Sequence, residues 1–249
     1  MAKHPRDRYL TVYGRKPVLE VLLQADLVVD KVLLAHRAKA PIVDQIVAAC
    51  AQKGIPLQRV PPAAVSRLSK HPKQDQGVVA DVCTPHMDDA LQALDGPLPA
   101  RCRLLALDGI TTPANVGLII RTATALGIDG ILLPRRGSAK LDAFVVKASA
   151  GVVFRSAIWK CERLAPALQK ALDGGFELYA LSGEQGTALY EAAFAERAIF
   201  VLGNETHGVT PQTEALVTQH LTIPMAHGVE SLNVACAAAV VLGELARRG

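Results

Sequence analysis

The stretch "RLLALDGITTPANVGLIIRTATALG", residues 103–127, decides the fold. It opens with an apolar run of strand length and passes through glycine and polar residues. It then repeats apolar residues at helical spacing up to Gly127, which stands where glycine commonly closes a helix. Strand, turn and helix in that order make the first half of a βαβ unit. The polar residues inside it admit two readings. Asn115 is either an N-cap, a role Asn often fills, or the working end of a site. Arg121, four residues beyond Gly117 on the same helix face, is either a surface charge or a guanidinium leaning over the gap that the glycine leaves.

Working outward, the same rhythm continues toward the C-terminus. Strands are expected at "GILLP" (130–134), "VVFRSAIW" (152–159), "FELYAL" (176–181), "AIFVLG" (198–203) and "LTIP" (221–224). Helices are expected at "SAKLDAFVVKASAG" (138–151), "LAPALQKALDGG" (164–175), "TPQTEALV" (210–217) and "SLNVACAAAVVLGELARR" (231–248). Short apolar strands alternating with helices predict an α/β domain with a parallel sheet covered on both faces. Toward the N-terminus lies a smaller α/β unit. Its helices are "RKPVLEVLLQ" (15–24), "APIVDQIVAACAQKG" (40–54) and "PPAAVSRLS" (61–69), and its strands "VDKVLLA" (29–35), "IPLQRV" (55–60) and "QGVVADV" (76–82). Between the two, the Pro-rich, acidic stretch from Cys83 to Cys102 reads as a linker with about one helical turn. The division is therefore 1–83, a linker at 84–100, and 101–249.

Half of the 249 residues are hydrophobic and a fifth are charged, a globular composition. No apolar run approaches the roughly 18 residues of a membrane span. The opening "MAKHPRDRYL" lacks the apolar stretch of a secretory signal. Five scattered cysteines, with no CxxC pair, read as reduced intracellular thiols, and the expected location is the cytoplasm. The net charge of +4 is unevenly spread. Residues 1–80 carry 13 Lys/Arg against 6 Asp/Glu, and the remainder 14 against 17. That basic third is read either as an ordinary solvated surface or as the mark of a polyanionic partner such as nucleic acid.

Ligands of parallel sheets bind at the carboxyl ends of strands, so polar residues and glycines just after strands are the candidates. Three segments qualify: "DGITTPANVGLIIR" (108–121), "LGNETHG" (202–208) and "IPMAHGVESLN" (223–233). In the second, Gly203 lets backbone approach a ligand and Glu205 stands at the crevice mouth. The plainer reading is a turn before a helix capped by Thr210, with Pro211 at its first position. In the third, Ser231 is expected to cap the last helix, leaving Asn233 in the first turn, where amides can meet an anion. There is no GxGxxG after the first strand of either unit, no GxxxxGK[ST], GxSxG, HExxH or CxxC. A nicotinamide-dependent oxidoreductase, nucleotide hydrolysis, serine hydrolysis and zinc chemistry all lose support, and no metal is expected.

Together and in order, "LDGITTPANVGLIIRTATALG", "VLGNETHG" and "IPMAHGVESLNVACAAAVVLGE" resemble the three motifs of the SpoU (TrmH) family of RNA ribose 2′-O-methyltransferases, within the SPOUT superfamily. The likeness spans Leu104 to Glu244. In addition, "VYGRKPVLEVLL" and "QGVVADV" resemble the extra domain of the family's rRNA guanosine methyltransferases, which has a fold like ribosomal protein L30e and helps hold RNA. The resemblance implies a SPOUT-type parallel sheet with a C-terminal trefoil knot, acting as a homodimer. It further implies S-adenosylmethionine seated against Gly203, Ile223 and Leu232, with Leu181 a further contact. Arg121 corresponds to the catalytic arginine, supported by Asn115; Glu205, Ser231 and Asn233 match positions that place RNA or shape the site. Where the family has Asp-Pro before the motif asparagine, this chain has Thr112-Pro113, so a carboxylate that could orient the loop is missing. The implied substrate is RNA, with a guanosine of large-subunit (23S) ribosomal RNA as the target. The alternatives are a transfer RNA, or a silent RNA-binding member of the family. Arg121 is read as electrostatic stabiliser of the forming alkoxide or, alternatively, as general base.

Overall fold

In the computed structural model the described residues are 9–84, 86–183 and 186–249. The first eight residues, which carry most of the opening read as no secretory signal, lie outside them. The chain divides into two compact units, Met1–Pro85 with Leu141–Lys147, and His86–Lys140 with Ala148–Gly249.

The first unit runs β1 (Tyr9–Tyr13), α1 (Arg15–Leu23), β2 (Val29–Ala35), α2 (Pro41–Lys53), β3 (Leu57–Val60), α3 (Pro62–Ser69) and β4 (Val78–Cys83). Its sheet has the order β1-β4-β2-β3, with β4 antiparallel to both neighbours and β2 parallel to β3. Strand β1 was not expected from sequence. Its alternation of half-buried and buried residues is a strand pattern, and it pairs with β4 along all five residues.

Of the elements that follow, α6 (Ala143–Ala148) belongs to the first unit but for its last residue; the second unit comprises β5 (Met87–Asp89), α4 (Ala90–Asp95), β6 (Cys102–Leu107), α5 (Pro113–Ala125), β7 (Gly130–Pro134), β8 (Ile158–Cys161), α7 (Leu164–Asp173) and β9 (Glu177–Leu181). It ends with β10 (Thr187–Ala188), β11 (Arg197–Leu202), α8 (Pro211–Glu214), β12 (Gln219–Thr222) and α9 (Val234–Arg247). Eight strands form one sheet in the order β10-β12-β9-β11-β6-β7-β8-β5, and every pair in it is parallel. Strands β6, β7 and β11 are buried almost throughout, as a parallel sheet with helices on its faces requires.

Several elements differ from expectation. The segment read as a linker contributes β5, which pairs with β8 at the sheet edge, and α4, which Asp89 caps by accepting from the N–H groups of Leu91 and Gln92. "VVF" at 152–154 is a 3₁₀ turn, and the strand starts only at Ile158. Gly151, at φ 77°, turns the chain in a left-handed conformation just before it. The helix expected over 138–151 is confined to α6.

Burial pushes the thiols of Cys102 and Cys161 up to about 11 and about 12, so neither is a nucleophile at neutral pH. The last turn of α9 is clasped to the segment before β11. Arg248 donates to the carbonyls of Leu189, Tyr190 and Ala192 and lies 4.7 Å over the Phe194 ring. Glu244 accepts from Arg247 at 2.8 Å and from Arg248 at 2.7 Å, and these bonds hold its carboxyl down at about 2. A carboxyl depressed in the folded state contributes stability above its unfolded pKa, and that contribution is lost as pH falls through the folded value. The melting temperature should therefore drop as pH falls from about 4.5 toward 2. In Glu244→Gln this part of the acid limb should be flatter, as thermal unfolding across that range would reveal.

Candidate active site

The strand order reverses between β6 and β11, which places the loops after these two strands side by side. Such a switch point is where open parallel sheets hold ligands. Two side chains fasten the loops. Asp108, 5% exposed, accepts from the N–H of Thr210 at 2.7 Å and from its hydroxyl at 2.9 Å. Asn204 donates to the Gly109 carbonyl at 3.0 Å and accepts from the N–H groups of Thr206 and His207. A backbone pair between Asn204 and Gly208 closes the loop on itself. Neither Asp108 nor Asn204 was chosen from sequence. The available signal was a polar residue directly at, or one past, the end of a buried strand.

Inside that turn Gly203 is packed against the returning backbone. A Cβ there would lie 2.3 Å from the Gly208 carbonyl carbon and 2.5 Å from the Val209 nitrogen. Only a residue without a side chain fits.

The carboxyl ends of β9, β11 and β12 and the loop before α9 enclose a cavity of about 940 Å³. Leu181, Gly203, Ile223 and Leu232, from four separate segments, all line it, together with Glu205 and Ser231. A second polar pair on its wall, His220 and Glu214, is 2.9 Å apart. Beside the cavity, the Asn115 amide donates to the Glu205 carboxylate. Asn233 donates to the Asn115 carbonyl oxygen at 3.2 Å. The three segments singled out from sequence are thus joined by side-chain hydrogen bonds.

The structure decides the open reading of Asn115 and corrects the cap expected at Ser231. Asn115 is not an N-cap: α5 starts at Pro113, with Thr112 in the cap position making no side-chain capping bond. Asn115 stands in the first turn with its amide committed to Glu205 and Asn233. Nor does Ser231 cap α9. Asn233 does, accepting from the Ala235 N–H at 2.9 Å, while Ser231 lies two residues earlier on the cavity wall. Both residue types cap well; the added bond to Asn115 accompanies the choice of asparagine. Arg121 is exposed on α5, outside the residues that line the cavity, and has no hydrogen-bond or ion-pair partner among the described residues. Among the described residues no three His, Cys, Asp or Glu side chains converge as a metal site would require, and no helix is long and apolar enough to cross a membrane.

If the Asn115–Glu205 bond matters to the site, Asn115→Asp sets a second carboxylate against the first, and like charges raise the pKa of one of them. Activity should fall roughly tenfold near pH 8, in line with the about 1.5–3 kcal/mol of a hydrogen bond to a charged group. It should recover as pH drops and one carboxyl takes up a proton. A pH–rate profile parallel to that of the unsubstituted chain would argue against the coupling.

A crevice at the carboxyl ends of parallel strands, beside loops that pack backbone on backbone, is where α/β proteins seat small organic ligands. The comparisons narrow this class. The chain belongs to the SpoU rRNA methylase family, whose model matches residues 103–243, and a model for RNA 2′-O ribose methyltransferase substrate binding matches residues 11–87. It is accordingly an RNA methyltransferase of the SpoU type. A Mycolicibacterium paratuberculosis protein named as an uncharacterized tRNA/rRNA methyltransferase is 34% identical over 96% of this chain and 77% of its own length. A TrmH-family structure from Porphyromonas gingivalis superposes with a TM-score of 0.69 at 30% identity, covering 98% of this chain and 92% of its own. The fold is also that of the SpoU methyltransferase AviRb from Streptomyces viridochromogenes, solved with AdoMet, at a TM-score of 0.73, 23% identity and coverage of 98% and 91%.

Proposed function

We propose that the chain transfers a methyl group from S-adenosylmethionine to a ribose 2′-hydroxyl of RNA, with a guanosine of large-subunit ribosomal RNA as the target and the cytoplasm as the place of action. The observation that carries this reading is the meeting of Leu181, Gly203, Ile223 and Leu232 around one cavity, beside the bonded Asn115, Glu205 and Asn233.

The residues present fit the cofactor. A cavity of about 940 Å³ is within the range that holds small molecules, and leucine and isoleucine walls with backbone groups between them suit an adenine ring. Gly203, Ile223 and Leu232 would hold it through the main chain, with Leu181 beside them. Bound there, S-adenosylmethionine supplies an electrophilic methyl group on a sulfonium. The chain's own part is placement and charge. Well-oriented reactants can gain about 7–11 kcal/mol from positioning. Arg121 brings a planar, positively charged fork of donors, which stabilises the forming alkoxide and grips an adjacent phosphate. Its lack of a partner among the described residues suits a residue whose partner is RNA. Asn115 and Asn233 hold Glu205 at the cavity mouth, and Ser231 shapes the wall.

The C-terminal knot and the homodimer implied by the family are part of the same reading. Helix α9 packs on α5 and exposes Cys236, Ala239 and Gly243, small residues suited to close pairing with a second copy; sedimentation would give the oligomeric state. The basic N-terminal third supplies sequence-independent grip on phosphates. Mapping 2′-O-methyl positions in RNA from cells with and without this protein tests reaction and substrate together. A ribosomal guanosine that loses its methyl group fits the proposal, a transfer RNA nucleotide corrects the substrate, and no change in any RNA refutes the activity.

A further inference from the structure

The cavity of the second unit carries fixed charge of one sign. Glutamates from three segments line it: Glu205 after β11, Glu214 at the end of α8 and Glu230 in the loop before α9. Two histidines, His207 and His220, share the wall, and among the described residues no lysine or arginine does. Three carboxylates outnumber two imidazoles, so the wall stays negative whichever protonation state the imidazoles take. Most of the other residues around it are apolar or glycine, and a charge in such surroundings acts more strongly than one in open water.

Two of the three carboxylates are held in place. Glu205 accepts from the Asn115 amide. Glu214 Oε1 lies 2.9 Å from Nε2 of His220 on β12, which keeps that side chain on the wall before a ligand arrives and spares it ordering on binding. Glu230 has no hydrogen-bond or ion-pair partner among the described residues, so its charge is left for a ligand. Methyl transfer changes the charge that this wall faces. As the ribose 2′-oxygen bonds to the methyl carbon, the carbon–sulfur bond breaks, its electron pair stays on sulfur and the hydroxyl proton leaves to water. The donor carries one net positive charge and the spent S-adenosylhomocysteine none. Adenine, ribose, ammonium and carboxylate are common to both, so charge on the wall tells them apart at the sulfur.

We propose that Glu214 and Glu230 make the cavity select the methyl donor over the spent product by charge, favouring the sulfonium and losing that attraction once the methyl group has left. Specificity is a difference of affinities, and here the difference favours release of the product and entry of a fresh donor. The inference rests on the S-adenosylmethionine reading of the cavity and gives two further residues a part in it.

The test uses the full chain carrying Glu214→Gln and Glu230→Gln together, which keep size and remove charge. A control with Glu20→Gln and Glu191→Gln loses the same charge from exposed positions off the cavity wall. Calorimetric titration gives Kd for S-adenosylmethionine and for S-adenosylhomocysteine at low and at high salt. The preference for the donor, Kd of the product over Kd of the donor, should fall roughly tenfold in the cavity variant, a moderate effect because exposed charges are screened by water and salt. The fall should come from weaker donor binding, with product binding held and the control unchanged. In the unsubstituted chain the same preference should shrink as salt rises. Glu230→Gln alone breaks no hydrogen bond among the described residues and should show part of the fall, so the test stands even if the double variant folds poorly. A preference that neither variant moves, or an equal fall in the control, overturns the inference while the cofactor reading stands. If the unsubstituted chain binds neither ligand, the cofactor reading fails and takes the inference with it.

Discussion

Gly203→Ala should abolish cofactor binding and lower the melting temperature by several degrees. The added methyl would sit 2.3 Å from the Gly208 carbonyl carbon and 2.5 Å from the Val209 nitrogen. Both are backbone atoms, so no side-chain rotation relieves the clash and the loop between β11 and α8 must move. Overpacking costs about 1–3 kcal/mol where side chains can yield, and backbone against backbone falls at the upper end or beyond. For a chain of this length each kcal/mol is worth about 2–4 °C. The same displacement carries Glu205 away from Asn115 and pulls Thr210 from Asp108, so the cavity loses its wall and its lip together. Calorimetric titration with S-adenosylhomocysteine, with circular dichroism to confirm that the sheet persists, would test this. An alanine variant that binds as tightly as the parent would mean that the turn is not part of the site.

Arg121→Ala should separate chemistry from cofactor binding. The guanidinium is exposed and lies off the cavity wall, so affinity for S-adenosylhomocysteine should be unchanged. The rate of methyl transfer should fall by about 10²–10³-fold, the usual loss when one donor to a developing oxyanion is removed. Arg121→Lys then distinguishes fork geometry from charge. A lysine retains the positive charge without the paired donors, and near-parent activity in that variant would contradict a bidentate grip on phosphate and oxygen. A general base, by contrast, would give a pH–rate profile whose limb moves when lysine replaces arginine.

The sequence carried the parallel sheet because its strands are apolar runs separated by helical periodicity, a contrast that survives without any tertiary information. It hid β5 because "MDD" has no strand propensity; those residues are extended only because β8 offers an edge to pair with. It misplaced the start of β8 because β-branched Val152 and Val153 favour a strand, and the left-handed turn at Gly151 overrules them locally. In the site, glycine and asparagine positions were legible as types, since each follows a strand end. The division of labour between Ser231 and Asn233 was not, because both residue types cap helices; the Ala235 N–H bond marks Asn233 as the cap, and its further bond reaches Asn115, 118 positions away in the chain. Asp108 was missed for a similar reason: its partner Thr210 is 102 residues distant, and a lone aspartate after a strand resembles any turn.

The most direct measurement is a crystal structure of the chain with S-adenosylhomocysteine. The adenosine should lie among Leu181, Gly203, Ile223 and Leu232, with the sulfur facing the side where Asn115 and Glu205 meet. A ligand bound on another surface, or a cavity left empty at saturating concentration, would contradict the account.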